Sequence, residues 1–452
     1  MQLKLHTVTI EDFVPADHFL RKLDAVLDLS FVYEITAPLY SKKYGRPPID
    51  PVMLVKYLLV GFLYAIPSER QIELRIQTDV ALRWYLGLDL FERVPDHSTI
   101  SQLRRRKPSF RKVFRRLFEE VVRQCIEKGL VSGRLVATDS THVRANASRA
   151  SEVLVEMTEE PGAYYDRLDA YEEEALKQLP PKKGRRQGKR TRQLKKDNRR
   201  TKKRVSVTDP GAGHMKRPGK PEGPHYLSHQ TLDTDHGIIL DVTVTSGDAS
   251  DSTPYLGQIE HVHQHVIPIR AATADAAYDF PLAHEVLSEH GITFYACRQA
   301  HFDRTQVELK RDAFSYDPNR DCFLCPNGKG LYLNTLQRSA SSLHWVYLAD
   351  KRECQGCPLR KRCILESNKR GARRLERNYF QPAIDRNVAR WNTAEYREAL
   401  KKRQIWSEGT FAAQKRGHNL TRVLRRGLEA AEDHCLLSAT ALNLKRMIRC
   451  IG

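Results

Sequence analysis

A chain of 452 residues has room for two or three domains of ~100–200 residues each, and 40% hydrophobic content is enough to pack their cores. Lys and Arg outnumber Asp and Glu by 75 to 55, a formal charge of +20. That surplus favours a polyanionic partner, because each neutralised phosphate releases counterions. It does not favour a membrane, since no apolar run approaches the ~20 residues that cross a bilayer and no basic amphipathic helix adjoins an apolar anchor.

The N-terminus, Met-Gln-Leu-Lys-Leu-His, lacks the apolar stretch and small-residue cleavage site of a signal peptide. The expected location is the cytoplasm, around the nucleoid. There the nine cysteines, an odd number, should be thiols or metal ligands rather than disulfides.

Residues 1–130 read as a helical domain. Val52 to Tyr64 repeats apolar residues at helical spacing despite Lys56. Pro67-Ser68-Glu69-Arg70 breaks the pattern, with Ser68 placed to cap the next helix. Asp96-His97-Ser98-Thr99-Ile100 offers a second cap, ahead of the basic run Arg104, Arg105, Arg106 and Lys107. After Pro108, Val113 to Ile126 is amphipathic again. An Arg-rich helix in a helical bundle points to DNA contact; the plainer alternative is a solvated basic face.

Gly133 to Val143 reads as a strand with a carboxylate, Asp139, inside it. Residues 156–224 form a basic insertion: an acidic helix around Tyr171-Glu172-Glu173-Glu174, Pro180-Pro181, then Lys182 to Arg204, where 14 of 23 residues are Lys or Arg. Charge of that density resists packing, so an arm that orders on nucleic acid is expected. Tyr226 to Ser246 reads as two strands turning at Gly237. Pro254 to Val266 should be a helix, Arg270 to Asp275 a short strand ending in a carboxylate, Leu282 to His290 a helix and Gly291 to Ala296 a strand. Residues 131–300 thus read as the first part of an α+β core. Residues 301–380 form a cysteine-rich insert, and residues 381–452 return to helix.

Cleaving a phosphodiester requires an activated oxygen nucleophile and a stabilised leaving oxygen, and two metal ions ~3.5–4 Å apart supply both. Mg²⁺ selects carboxylate oxygens. An ionised carboxylate inside an apolar strand is costly unless paired or metal-bound. Asp139, after Leu135-Val136-Ala137-Thr138, and Asp275, after Ala271-Ala272-Thr273-Ala274, both stand there. Glu408 lies on a helix with Lys415 two turns on, along the same face. Any one of these could be an ordinary strand-end or surface acid; order, element type and spacing make the set notable. Asp279 is a rival to Asp275, but it falls past Tyr278 in the following turn.

The runs Ala137-Thr138-Asp139-Ser140-Thr141, Ala274-Asp275-Ala276-Ala277-Tyr278-Asp279 and Ser407-Glu408-Gly409-Thr410-Phe411 through Lys415 resemble the DDE transposases of bacterial insertion sequences. Pro95-Asp96-His97-Ser98-Thr99 with its Arg-rich helix, and the cysteine cluster, extend the resemblance over nearly the whole chain. It implies an α+β fold: an RNase H-like mixed five-stranded sheet with flanking helices, preceded by an all-helical N-terminal domain. It implies that Asp139, Asp275 and Glu408 ligate Mg²⁺ or Mn²⁺, that Lys415 contacts DNA near the scissile phosphate, and that the partners are double-stranded element ends and target DNA, with a homodimer at synapsis. In related enzymes an Arg stands four residues before the glutamate. Here position 404 is Gln, Arg403 is one residue earlier, and Tyr396-Arg397 lies further upstream, so Arg403 is the candidate DNA contact. Asp209 in Val207-Thr208-Asp209-Pro210 matches a recurrent run, as a structural or DNA-proximal residue. The rivals are a related metal-dependent nuclease without strand transfer and an inactive, zinc-containing DNA-binding remnant.

Cys322-x2-Cys325 and Cys354-x2-Cys357, with Cys363 beyond a further five-residue spacer, fit a closed tetrahedral Zn²⁺ site. The five candidates outnumber the four ligands needed. Cys125, Cys297, Cys435 and Cys450 are isolated and read as small apolar residues.

Overall fold

Helix starts follow local capping chemistry. The computed structural model describes residues 8–39, 49–106, 110–158, 165–179, 200–297, 306–339, 342–368 and 371–451. The first helices are α1 (Phe19–Val26), α2 (Phe31–Thr36), α3 (Pro51–Leu63), α4 (Glu69–Thr78), α5 (Val80–Tyr85), α6 (His97–Arg106) and α7 (Arg111–Glu127). Asp50 caps α3, its carboxylate accepting from the Met53 amide at 2.9 Å, with Pro51 in the first turn. Ser68 caps α4 from the Gln71 amide, as expected, and Asp96 accepts from the Ser98 and Thr99 amides as α6 begins. These caps satisfy donors that the first helical turn leaves unpaired.

The chain continues through β1 (Val136–Arg144), β2 (Glu152–Thr158), α8 (Tyr165–Lys177), β3 (Arg200–Ser206), β4 (Gly213–Met215), β5 (Gly223–Asp233), β6 (Ile239–Ser246), α9 (Tyr255–His261), β7 (Ala271–Ala274), α10 (Pro281–Glu289) and β8 (Thr293–Ala296). Next come β9 (Ser315–Asp317), β10 (Cys322–Leu324), β11 (Gly330–Arg338), β12 (Leu343–Ala349), α11 (Lys351–Gln355), α12 (Arg360–Cys363), β13 (Arg374–Asn378), α13 (Gln381–Val388), α14 (Ala394–Gly417) and α15 (Leu428–Ile451). Most of the basic run, residues 182–199, lies outside the described residues; its end is not an arm but strand β3.

Contacts divide the chain into two compact units. The first is residues 1–155, 202–273 and 398–452; the second is 156–201 and 274–397. In the first unit the sheet runs β2-β3-β4-β5-β1-β7, with β6 also on β5, so it is wider than the five strands expected. The extra strands are β2, after β1, and β3 and β4, from the stretch between 200 and 224. β1 and β5 are antiparallel, registered from Val136 opposite Asp233 to Arg144 opposite His225. β5 is buried along its whole length. β5 returns as β6 through a turn in which Gly237 has φ +73°, and a Cβ there would sit 2.3 Å from the Trp406 ring. The backbone conformation and the close approach both demand glycine.

α15 packs on β6, α7 and α3. Nearly every position from Ala430 to Leu444 is buried, polar ones included. A helix enclosed on several sides needs apolar or hydrogen-bonded side chains all round. Residues 1–130 therefore share a core with the sheet.

In the second unit a separate antiparallel sheet runs β13-β12-β11-β10-β9. Phe314, Phe323, Leu331, Trp345, Tyr347 and Leu375 form its core, with Ala175 of α8. Arg338 on β11 pairs with Asp169 and Glu172 of α8, which gives that helix's acidic face a partner. The described part of residues 301–380 thus holds a five-stranded antiparallel sheet and two short helices.

Candidate active site

Side chains alternate between the faces of a strand, so Asp139 and Thr141 share one face of β1, and Gln230, opposite Asp139 in the register, joins them. The described α14 residues of the first unit lie on this face. Gln414 and Gln230, both buried, exchange amide hydrogen bonds of 2.8 and 3.0 Å. Lys415 donates from Nζ to Thr141 Oγ1 at 2.6 Å. One guanidinium nitrogen of Arg403 is 3.7 Å from Asp139 Oδ2, with both side chains mostly buried. Ser407, Thr410 and Phe411 fill the buried stripe between these contacts.

Asp139 is half-buried, and its Oδ1 accepts from the Ser140 amide at 2.7 Å. Burial, reinforced by nearby Lys220, holds the Lys415 ammonium below the usual lysine range. Glu408 is exposed, one residue past buried Ser407. Seven residues separate it from Lys415, almost two full turns, so both project from one side of α14. The structure therefore sets Arg403 on Asp139 and Lys415 on Thr141, two contacts between α14 and the same face of β1, and keeps Glu408 on the helix between them, exposed to solvent.

β7 lies beside β1 in the sheet. The chain leaves β7 at Ala274 and reaches Asp275 at the next residue. In the second unit Asp275 caps a short turn, its Oδ1 accepting from the Ala277 amide at 2.8 Å. Its rival Asp279 is engaged elsewhere, 2.8 Å from His284 Nε2, and the other nitrogen of that ring is 2.9 Å from the Asn387 amide. Tyr396 donates to the Ala296 carbonyl at 3.1 Å.

Asp209 is fully buried. It accepts from the Tyr226 hydroxyl at 2.6 Å and from the Gly427 amide at 2.9 Å, stapling the β3–β4 connection to the loop before α15. Its role in the fold is structural. Arg104 is buried and ion-paired with Glu69. Desolvation lowers its pKa to about 10. It is not part of an open basic face, a correction to the reading of Arg104 as a DNA contact. Lys107 and the side chains of Arg105 and Arg106 lie outside the described residues.

Motif reading missed the supports. Gln230, Gln414 and Thr141 carry no acid or base, and only their positions in register with Asp139 and Lys415 betray them. It also missed the far face of β1, where Ser140 donates to Asp251 at 2.7 Å and buried His142 has its pKa lowered to about 4 by desolvation.

Of the cysteines, Cys325, Cys354, Cys357 and Cys363 line one small cavity in the second unit. Cys322 is buried on β10, with Asp317, Arg320 and Asp321 as its charged neighbours. Among the described residues, only Glu73, Asp96 and His97 already hold three ligand-type atoms within 4.8 Å of one another. His97 there hydrogen-bonds Glu73 at 2.6 Å.

Two family models match the chain: "Transposase domain (DUF772)" over residues 8–106 and "Transposase DDE domain" over residues 324–448. The chain belongs to the DDE transposases of the insertion-sequence type. The second match includes Glu408 and Lys415; Asp139 and Asp275 lie outside both. Among solved structures the transposase is similar to the piggyBac transposase in a synaptic complex with hairpin DNA, at 10% identity over 96% of this chain and 73% of that one, with a TM-score of 0.34. It is also similar to the Mos1 transposase in a paired-end complex with the left transposon end, at 10% identity over 56% and 61%, with a TM-score of 0.17. No curated protein matches the transposase in sequence. No described helix is long and apolar enough to cross a membrane.

Proposed function

We propose that this transposase cuts DNA at the ends of its element and joins the freed ends to a target, with Asp139, Asp275 and Glu408 as the metal-binding carboxylates. One observation carries the reading. The helix bearing Glu408 is pinned across the face of β1 that bears Asp139, by Gln414 on Gln230, Lys415 on Thr141 and Arg403 on Asp139. The strand order β6-β5-β1-β7, with the next acid one residue beyond β7, supports an RNase H-like core.

Hard carboxylate oxygens suit Mg²⁺ or Mn²⁺, and Asp139 already faces a cation in Arg403, so the donor set fits. Metal ions held there would activate the attacking oxygen and neutralise charge on the leaving oxygen. In the first step a water oxygen bonds to phosphorus, the bond from phosphorus to the 3′ oxygen breaks, and that oxygen leaves as a 3′-hydroxyl. In the second, this hydroxyl attacks a target phosphodiester in line and displaces a target 3′ oxygen. Lys415, half-buried at Thr141, is positioned to hold the phosphate near Asp139. Double-stranded DNA, element ends and target alike, is the partner, and two chains at synapsis would hold two ends.

The test is cleavage of a supercoiled plasmid carrying the element's terminal repeats, with Mg²⁺ present. Asp139→Asn and Glu408→Gln should shift DNA like the parent chain and cut it more than ~100-fold more slowly, beyond what loss of a supporting residue costs. Undiminished cutting by Asp139→Asn ends the catalytic assignment. Cutting without joining leaves a nuclease.

A further inference from the structure

The five clustered cysteines divide by where the fold puts them. Cys325 closes the β10–β11 hairpin. Its carbonyl accepts from the Gly328 amide at 2.8 Å, its own amide donates to Lys329 at 2.9 Å, and its sulfur accepts from the Lys329 amide at 3.3 Å. A backbone amide aimed at a cysteine sulfur stabilises a thiolate, the form that binds metal. Cys354 sits on α11, whose start Asp350 caps from the Arg352 amide. Cys357 follows the turn at Gly356, and Cys363 ends α12. All four, from the hairpin and the two short helices, line a single cavity of ≈ 30 Å³, enough for one ion or water.

The surroundings carry compensating charge. Arg360 donates to the Cys354 carbonyl at 3.3 Å and to the Gly371 carbonyl at 3.0 Å. Arg373 donates to the Cys363 carbonyl at 3.1 Å, and Lys329 pairs with Glu353 at 3.3 Å. Both arginines and Lys329 also line the cavity. Four thiolates around Zn²⁺ carry a net charge of −2, which the partly buried Arg360 and Arg373 and the exposed Lys329 offset. Cys322 does not line this cavity and faces Asp317 and Asp321 instead.

We infer that Cys325, Cys354, Cys357 and Cys363 are the four ligands of one structural zinc ion, and that Cys322 is not a ligand. The spacing alone favoured pairing Cys322 with Cys325, since Cys-x2-Cys is the usual knuckle; the strand position of Cys322 turns it away. The ion ties α11 and α12 to the β10–β11 hairpin, in a unit whose core is one small aromatic cluster. The sulfurs stand further apart than in a closed tetrahedron, as no three lie within 4.8 Å of one another, and the ion would draw them in. This site is independent of the proposed carboxylate centre and of DNA cleavage.

Two measurements on the intact chain test it. First, the purified protein is assayed for zinc, stripped, and titrated with Co²⁺. One equivalent of zinc and the intense visible bands of tetrahedral thiolate-bound cobalt are expected. Cys322→Ser should keep both, and Cys354→Ser or Cys363→Ser should lose them. Second, alkylation of the unmutated chain is followed by mass spectrometry before and after chelation, which needs no variant to fold. Cys325, Cys354, Cys357 and Cys363 should become reactive together while Cys322 does not change. A chain without zinc or a cobalt spectrum, or one in which chelation releases Cys322 with the others, overturns the assignment.

Discussion

Arg403 and Asp139 face each other at 3.7 Å in a largely buried setting, and that pair has consequences for metal binding. A guanidinium cannot lose its charge, so it neutralises the aspartate until another cation displaces it. Arg403→Gln removes the competitor, and the Mg²⁺ concentration for half-maximal cleavage should fall by up to roughly tenfold, the scale of a partly exposed ion pair. An unchanged or raised Mg²⁺ requirement, with weaker DNA binding, would return Arg403 to the role of a plain phosphate contact. Arg104 teaches the reverse lesson. Four consecutive basic residues are visible in the sequence, but the partner that buries Arg104 is Glu69, 35 positions earlier, on another helix. Motif and composition identify charge; only packing tells which charges reach solvent. Asp209, by contrast, drew attention through the resemblance of Val207-Thr208-Asp209-Pro210 to a recurrent family run, as a structural or DNA-proximal residue, and its burial gives it the structural part. Asp209→Ala leaves a buried tyrosine hydroxyl and an amide unpaired. It should cost ~2–4 kcal/mol in urea unfolding with no change in cleavage per folded molecule.

At the scale of elements, α14 is held by the reciprocal amide pair Gln230–Gln414, with Ser438 also donating to Gln414 at 3.3 Å. Changing either glutamine to leucine strands a buried amide, at ~1–3 kcal/mol. Changing both removes both orphans, so the double variant should be more stable than the sum of the singles predicts. Urea unfolding of the four-member cycle measures this, and simple additivity would mean that the two amides do not act as a pair. Long periodic elements such as α3, α7, β5 and β6 could be read from spacing alone. Strands β9 to β13 could not, although Leu343 to Ala349 is a mostly apolar run. Arg, Cys and turn formers interrupt that stretch, and its sheet is small and half-polar, so the pattern of a buried face is faint. Asp139 and Asp275 stood out as candidates because an acid in or at the end of an apolar strand is costly unless paired or metal-bound. The glutamines that hold α14 did not, since a buried amide leaves no periodic mark.

The first unit also carries a pH signature. His142, His229, His418 and His434 are buried, and desolvation lowers each pKa from 6.5 to about 4. As pH falls below 6.5 the unfolded chain takes up protons that the folded chain refuses, so stability falls with pH across the window from 6.5 to about 4. At ~1.4 kcal/mol per unit, each histidine contributes up to roughly 3 kcal/mol to that loss. Burial raises Asp233 and Asp433 above the usual carboxylate value, which acts in the opposite sense at the acid end. Melting temperature measured from pH 7 to 5 should drop steadily. A flat profile would show that these rings are hydrated in solution.

For the whole molecule, the question is whether the N-terminal helices can be separated from the catalytic sheet. His418 is 2.9 Å from the Phe62 carbonyl, and Asn419 donates to the carbonyls of Gly61 and Ile66 at 3.0 and 2.9 Å, so the end of α14 grips the end of α3. Arg111 of α7 is 3.1 Å from Asp433 and 3.3 Å from Glu432 on α15. Asp433 is almost fully buried. Removing one member of a buried pair costs ~3–5 kcal/mol, a large part of the ~5–15 kcal/mol that holds a domain folded. A chain beginning at residue 131 loses Arg111 as well as the apolar cover that α3 and α7 place over α15. It should therefore aggregate on expression, or unfold without cooperativity in circular dichroism, and supplying residues 1–130 as a second chain should restore solubility. If residues 131–452 alone form a soluble monomer that melts as sharply as the intact protein, the contacts between α15 and the first seven helices are dispensable. The N-terminal region would then act as a separable module, with its own DNA contacts to be sought on Arg105, Arg106 and Lys107.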